Sequence, residues 1–205
     1  MIRITLARVK FAIQNGHRMK KAFVSGLSRF KRLLVGLSLK ADNVGYESPP
    51  VFSGKWPKIT NKGRIYIARN CSFRSFRTRQ HITVTKDAIL EIGRNTFMND
   101  GANLCATLSV KIGRNCKIGD MAYIFDTDFH QVSPQHPAKR APISIGNNVW
   151  IGARSTILAG ADIGDHAVIA AGSTVVGEIP AKTLAGGSPA KVIRALDVPD
   201  DWVRD

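Results

Sequence analysis

From Ile145 onward an aliphatic residue returns at every sixth position, at Ile151, Ile157, Ile163, Ile169 and Val175, without a miss. Four residues after each of the first five stands a small or β-branched residue: Val149, Ser155, Ala161, Ala167 and Ser173. A helix of 3.6 residues per turn drifts off a six-residue period, and a hairpin sheet needs strong turn signals at longer spacing. The period instead predicts a parallel β-helix, in which each six-residue unit makes one short flat side of a triangular coil. The aliphatic side chain then points inward and stacks on its equivalent in the next coil, about 4.8 Å away. The residue four further on must be small because it lies near a corner. Gly146, Gly152, Gly164 and Gly172, with Asn147 and Asn148, supply turns that tolerate positive φ.

A second layer of repetition supports the coil. The stretches IYIARN (65 to 70), LEIGRN (90 to 95), VKIGRN (110 to 115) and ISIGNN (143 to 148) are variants of one element, so one edge of the coil keeps reappearing. From Ile112 the six-residue units run through Ile118 and Ile124, and then the order fails at His130. Between Phe129 and Pro142 an irregular segment with Pro134, Pro137, Lys139 and Arg140 replaces the next unit.

That break carries candidate chemistry. Imidazole titrates near working pH and serves as a general base, which makes His130 the first candidate. In extended chain, side chains at alternate positions share a face, so Asp126, Asp128 and His130 are expected to point together. One of the two carboxylates would then fix the imidazole tautomer and stabilise its charged form, and the sequence does not choose between them. His136, in the same loop, is a candidate for acceptor contact. The ordinary alternative for any lone histidine is a solvated or hydrogen-bonded structural residue, and His17, His81, His166 and, beside its candidate contact, His136 keep that reading.

The rest of the chain changes the picture mainly through charge. The net charge is +15, and residues 1 to 40 hold ten Lys or Arg and no acid, which leaves +5 for the remaining 165 residues. Within that segment Phe23, Leu27, Phe30, Leu34 and Leu37 recur at helical spacing, predicting a basic amphipathic helix from about 19 to 38. Such a helix either lies on an anionic membrane surface or near a charged polymer, or packs its apolar stripe on the main body or a neighbouring subunit while its charges are solvated. It has no nucleic-acid-binding motif and no aromatic stacking platform, so nucleic acid is not an expected partner. Residues 41 to 58 are rich in Pro, Gly, Asn and Ser and predict a linker. The expected organisation is therefore a helical segment over 1–40, a linker over 41–58, a β-helix domain over 59–183 and a C-terminal tail over 184–205.

No apolar run approaches the roughly 18 residues of a membrane span, and the first twenty residues lack the features of a secretory signal. Cys71, Cys105 and Cys116 are odd in number and lack zinc-like spacing, which fits small core residues in a reducing compartment. A cytoplasmic address is expected, with peripheral attachment at the inner face of the membrane if the basic segment binds anionic lipid.

From about Arg64 to Arg194 the chain resembles the hexapeptide-repeat acyltransferases, the left-handed parallel β-helix enzymes that include sugar and polysaccharide O-acetyltransferases. The resemblance is carried by the repeat itself, by NNVWIGA (147 to 153), by the AAGS turn (170 to 173) and by the GGSPAKVIR close (186 to 194). It implies left-handed winding, although parallel crossovers are otherwise overwhelmingly right-handed. It also implies a homotrimer, acetyl-CoA as acyl donor in a groove between subunits, and a carbohydrate acceptor near the histidine. The implied activity is acetyl transfer to a sugar hydroxyl, in a surface polysaccharide or its precursor, with no metal. By the same resemblance Asn99 helps hold the acceptor or orient the histidine, and Trp150 packs on the pantetheine arm, with a contact between trimer subunits as the alternative for Trp150. The backbone around Ala153, Ala171 and Gly172 meets the thiol end, and Lys191 and Arg194 meet the nucleotide phosphates. Two other readings stand beside it. A γ-class carbonic anhydrase uses the same β-helix with three zinc-binding histidines, of which His130 and His136 would be two. A non-catalytic basic scaffold would use residues 1 to 40 to bind membrane.

Overall fold

The computed structural model describes residues 33–204. Its strands form three sheets whose members recur in strict rotation along the chain, so the chain climbs a triangular prism, one strand per face per turn. Face 1 contains Val44–Tyr46, Arg64–Ile67, Ile89–Ile92, Ser109–Ile112, Ile143–Ile145, Asp162–Ile163 and Glu178–Ile179. Face 2 contains Val51–Gly54, Ser72–Ser75, Phe97–Met98, Lys117–Ile118, Trp150–Ile151, Val168–Ile169 and Thr183–Gly187. Face 3 contains Lys58–Asn61, His81–Val84, Asn103–Ala106, Tyr123–Phe125, Thr156–Ile157 and Thr174–Val175. All pairings on the three faces are parallel except for a final strand, Ala190–Ala195, which runs antiparallel to Thr183–Gly187 and ends face 2. This is the parallel β-helix that the six-residue period predicts.

The period works through packing. Ile145, Ile151, Ile157, Ile163, Ile169 and Val175 all point inward and are buried, and so are the five small residues that follow them by four. Stacked coils place like on like, Ile112 on Ile145 and Ile145 on Ile163, so each aliphatic side chain meets an equivalent above and below. Burying each contributes on the order of 2 kcal/mol relative to exposure.

The repeated GRN element builds the edge between faces 1 and 2. Asn70, Asn95, Asn115 and Asn148 all adopt positive φ, a conformation that asparagine tolerates better than most L residues. The amide of Asn70 donates to Asn95 Oδ1 at 3.2 Å, and that of Asn95 to Asn115 Oδ1 at 2.9 Å. The glycine of the element is required by proximity, since a Cβ on Gly113 would collide with the backbone of Gly146.

Two expectations are corrected. Residues 41–58 are not a linker: they form the first coil, with Val44–Tyr46 paired on Arg64–Ile67 and Val51–Gly54 on Ser72–Ser75. Their Pro and Gly content reflects tight corners rather than free chain. The C-terminal segment is not a loose tail, because Ala190–Ala195 is hydrogen-bonded into face 2 and the chain beyond it folds back onto Asn148. In the N-terminal segment only the helix over 33–41 lies within the described residues. That helix packs Val35 and Leu39 against the core, whereas the expected stripe residue Leu37 is 55% exposed. Gly36 lets Tyr46 press against the helix, and this contact fixes which side faces inward. The stretch 19–32, with Phe23, Leu27 and Phe30, lies outside the described residues. No helix among the described residues is long and apolar enough to cross a membrane.

Candidate functional site

The break falls on the edge between faces 3 and 1. From Ile145 to the paired Ile163 is one coil of 18 residues, but from Ile112 to the paired Ile145 the chain uses 33. The surplus leaves the prism after Tyr123–Phe125 and returns before Ile143–Ile145. Its stem is antiparallel: Asp128 N donates to Lys139 O at 3.0 Å, Ala141 N donates to Asp126 O at 3.2 Å, and Thr127 bridges Arg140. A run of edge-on aromatic contacts, Tyr123 to Phe125 at 5.6 Å and Phe125 to Phe129 at 5.7 Å, braces the outer side of this stem.

Asp126, Asp128 and His130 do not share a face. The strand ends at Phe125, and Phe129 adopts φ 61°, which breaks the alternation on which that expectation rested. Asp126 turns inward and is fully buried. Its Oδ1 accepts from Thr107 N at 2.7 Å and Thr107 Oγ1 at 2.9 Å, and its Oδ2 accepts from Leu108 N at 2.7 Å and Ser109 N at 2.8 Å. Its role is to close the widened corner of the preceding coil, where the chain takes eight residues from Leu104 to Ile112 instead of six. Asp126 therefore supports the base of the loop and not the imidazole. Asp128 stays exposed beside His130, whose amide donates to the Asp128 carbonyl at 2.7 Å. The His130 ring projects from the loop without a hydrogen bond among the described residues and is exposed in the single chain. His136 is held by Ser133, whose Oγ lies 2.8 Å from its Nδ1. Among the described residues no three His, Cys, Asp or Glu side chains converge as a metal-binding group.

A second set of expected residues falls on the edge between faces 2 and 3. Gly172 N donates to Ala153 O, Arg154 N to Asp120 O, Met121 N to Asp100 O, and Gly101 N to Thr78 O, so these corners form one continuous ladder. Asn99, Ala153, Ala171 and Gly172 therefore line a single edge. Gly172 has φ 72° and open space where a Cβ would point, which leaves the backbone accessible there. Asn99 has a fixed amide orientation: its Oδ1 accepts from Arg74 Nε at 2.9 Å and from Asp100 N at 3.0 Å, leaving Nδ2 as an available donor. Within one chain Asn99 and His130 do not meet. Asn99 precedes the start of a face 3 strand and His130 follows the end of the next one, a strand's length apart.

Trp150, Lys191 and Arg194 belong to face 2. Trp150 is in register with Lys117 and Val168, Val168 with Leu184, and Leu184 with Arg194, so Trp150 and Arg194 stand on one outer stripe. Trp150 is 46% exposed. The C-terminal segment shields part of it: the Arg204 guanidinium lies 5.7 Å from its ring and 4.7 Å from that of Trp202. Asn148 anchors this segment, donating to Trp202 O and accepting from Arg204 N, each at 2.9 Å. Nothing in the hexad pattern signalled this contact, because it joins residues 54 and 56 positions apart.

Sequence reasoning also missed the cationic corner beside Asn99. Phe73 to Ile82 spans nine residues where the regular unit has six, and that surplus, with Arg74, Arg77 and Arg79 inside it, is its signal in the sequence. Asp100 lies under this corner. Burial would raise its carboxyl, but hydrogen bonds from the Arg77 and Thr78 amides and the nearby Arg77 and Arg74 cations outweigh burial and hold it below its ordinary value. The three cysteines are buried, unpaired thiols, and burial pushes those of Cys71 and Cys116 up to about 11, which makes them unreactive.

The comparisons with known proteins agree with this architecture. Residues 142–177 match the model of the bacterial transferase hexapeptide (six repeats), and residues 89–120 match the hexapeptide repeat of succinyl-transferase. Both matched segments are thus similar to hexapeptide-repeat transferases. It is 37% identical to the galactoside O-acetyltransferase of Escherichia coli (strain K12) over 111 residues, which cover 53% of this chain and 55% of that protein. Among solved structures it resembles a galactoside acetyltransferase in complex with coenzyme A, with a TM-score of 0.52, 27% identity and coverage of 73% of each chain. It also resembles a hexapeptide-repeat acetyltransferase of Vibrio cholerae complexed with acetyl coenzyme A, with a TM-score of 0.50, 25% identity and coverage of 72% of this chain and 73% of that one. The chain spans 55% to 61% of the length of the curated relatives first matched.

Proposed function

We propose that the protein is an acetyl-CoA-dependent O-acetyltransferase that acetylates a sugar hydroxyl, with His130 as general base. The observation that carries this reading is the ejected loop. An otherwise regular prism places 15 surplus residues between two of its coils, and the loop they form presents an exposed imidazole without a hydrogen bond among the described residues. The similarity to acetyltransferases in complex with CoA and acetyl-CoA supports acetyl-CoA as the donor.

In the proposed reaction one His130 nitrogen takes the hydroxyl proton as the sugar oxygen attacks the thioester carbonyl. The tetrahedral intermediate collapses, the carbon–sulfur bond breaks, and the imidazolium returns its proton to the departing thiolate. The products are an acetyl ester and free CoA. Asp128, exposed two residues before His130, is the remaining candidate carboxylate for orienting the ring. The open backbone at Gly172, beside Ala153 and Ala171, suits a narrow pantetheine arm, and Trp150, Lys191 and Arg194 suit the rest of the cofactor on face 2. A site that uses both Asn99 and His130 requires two subunits, because one chain holds them at opposite ends of face 3, and a homotrimer supplies such grooves. The test is release of CoA from acetyl-CoA by the purified full-length protein against a panel of oligosaccharides. Release that depends on the acceptor, with acetate found as an ester on the sugar, is expected. Release that ignores the acceptor, or none with any sugar, would reject the reading.

A further inference from the structure

The corner between Ser72–Ser75 and His81–Val84 lies directly against Asn99, which by the family resemblance holds the acceptor or orients the histidine. It carries Arg74, Phe76, Arg77 and Arg79, and Lys55 reaches it from the coil before, its Nζ 2.6 Å from the Arg77 carbonyl. Two acids lie nearby, and both are committed to one of these cations: Arg77 sits 2.8 Å from Asp120 and 3.8 Å from Asp100. Arg74 is placed differently. Its Nε is bonded to Asn99 Oδ1, and its guanidinium stands 5.4 Å from the centre of the Phe97 ring. Its two terminal nitrogens have no partner among the described residues, and Arg79, which is exposed, makes no ion pair there. Phe76 is 61% exposed and offers an apolar face beside them. Later corners on this edge have no such insertion, with six residues from Met98 to Leu104, from Ile151 to Ile157 and from Ile169 to Val175.

A guanidinium held in place by its Nε and an aromatic face, with its outer nitrogens open, is suited to paired hydrogen bonds with a carboxylate or phosphate. We propose that the acceptor is an acidic sugar, with Arg74 and Arg79 binding its anionic group while Asn99 Nδ2 donates to a neighbouring hydroxyl oxygen. This rests on the acetyltransferase reading for what happens to the acceptor, but binding of the anion does not depend on it.

The experiment therefore has a binding arm and a transfer arm. Full-length protein without acetyl-CoA is titrated calorimetrically with a glucuronate-containing oligosaccharide, a hexose phosphate and a neutral oligosaccharide, at low and high salt. The same three are offered as acceptors with acetyl-CoA. The acidic sugars are expected to bind more tightly than the neutral one, with an advantage that shrinks as salt screens the charges. The comparison of the carboxylate and phosphate arms identifies the anion. An Arg74→Gln, Arg79→Gln double variant with a wild-type circular dichroism spectrum and melting curve should bind the acidic sugar about 10- to 100-fold more weakly, the range of a lost charged hydrogen bond. Salt-dependent binding that the double variant loses, without transfer to any sugar, would leave this inference standing and reject the acetyltransferase reading. Transfer that favours neutral acceptors, or acidic binding that the double variant leaves intact, would overturn the inference.

Discussion

Two edges of the same prism show what the six-residue pattern dictates and what it leaves open. The edge between faces 1 and 2 repeats almost identically from coil to coil, with asparagines at positive φ linked by their own amides. Each residue there answers to the one above and below, so the edge contributes stability. At the edge between faces 3 and 1 one coil opens. A buried carboxylate, Asp126, closes the corner beneath it, and the loop above is held by a short antiparallel stem and aromatic contacts. Regularity builds the wall, and interruption presents side chains that no neighbouring coil constrains.

This contrast can be tested from both sides. The largest effect belongs to the open edge: His130→Ala should lower turnover by roughly 10²–10⁴ while leaving the melting temperature near that of wild type, because the ring is exposed and unbonded. Steady-state rates and a thermal melt on the same preparation decide it. Asp126→Ala should instead act on the fold, costing about 3 kcal/mol or more in denaturant unfolding, since it leaves a corner of buried amides without their charged acceptor. Its effect on activity should follow only from a loosened loop. On the regular edge, Asn115→Ala places an alanine at φ 60° and removes a side-chain link to Asn95, for a loss of about 1 kcal/mol with turnover unchanged. Asn115→Gly, free of the backbone penalty, should recover much of that loss.

The smallest effect is one of pH. The Asp100 carboxyl is held below its ordinary value despite burial, so its stabilising contribution is complete above the unfolded value near 3.9 and is lost as pH falls through the lower folded value. Stability curves for Asp100→Asn should therefore converge toward wild type in that acid range and separate above it. Parallel curves at all pH values would mean that the amide bonds, and not the charge, stabilise the corner.

The sequence displayed the prism plainly because its core is periodic: Ile145 through Val175 can satisfy one another only if the chain coils. It also marked the place where the coil opens. What it hid depends on contacts the period does not encode. Pro49 and Pro50 resemble a linker in sequence, yet they lie in a corner of the first coil, fixed by pairing with residues twenty positions on. Alternation suggested that Asp126, Asp128 and His130 share a face, but one positive φ at Phe129 breaks the alternation, and amides at Thr107, Leu108 and Ser109 hold Asp126 inward. The Arg74–Asn99 bond crosses coils, and only the three-residue surplus before Ile82 hinted at it.

The most direct measurement is a crystal structure of the full-length protein with bound coenzyme A. The account predicts that the cofactor's sulfur lies in a groove between two subunits, within contact distance of a His130 ring, with Asn99 of the adjoining subunit on the far side. A sulfur bound on another edge, with His130 turned to solvent in the assembled protein, would contradict it.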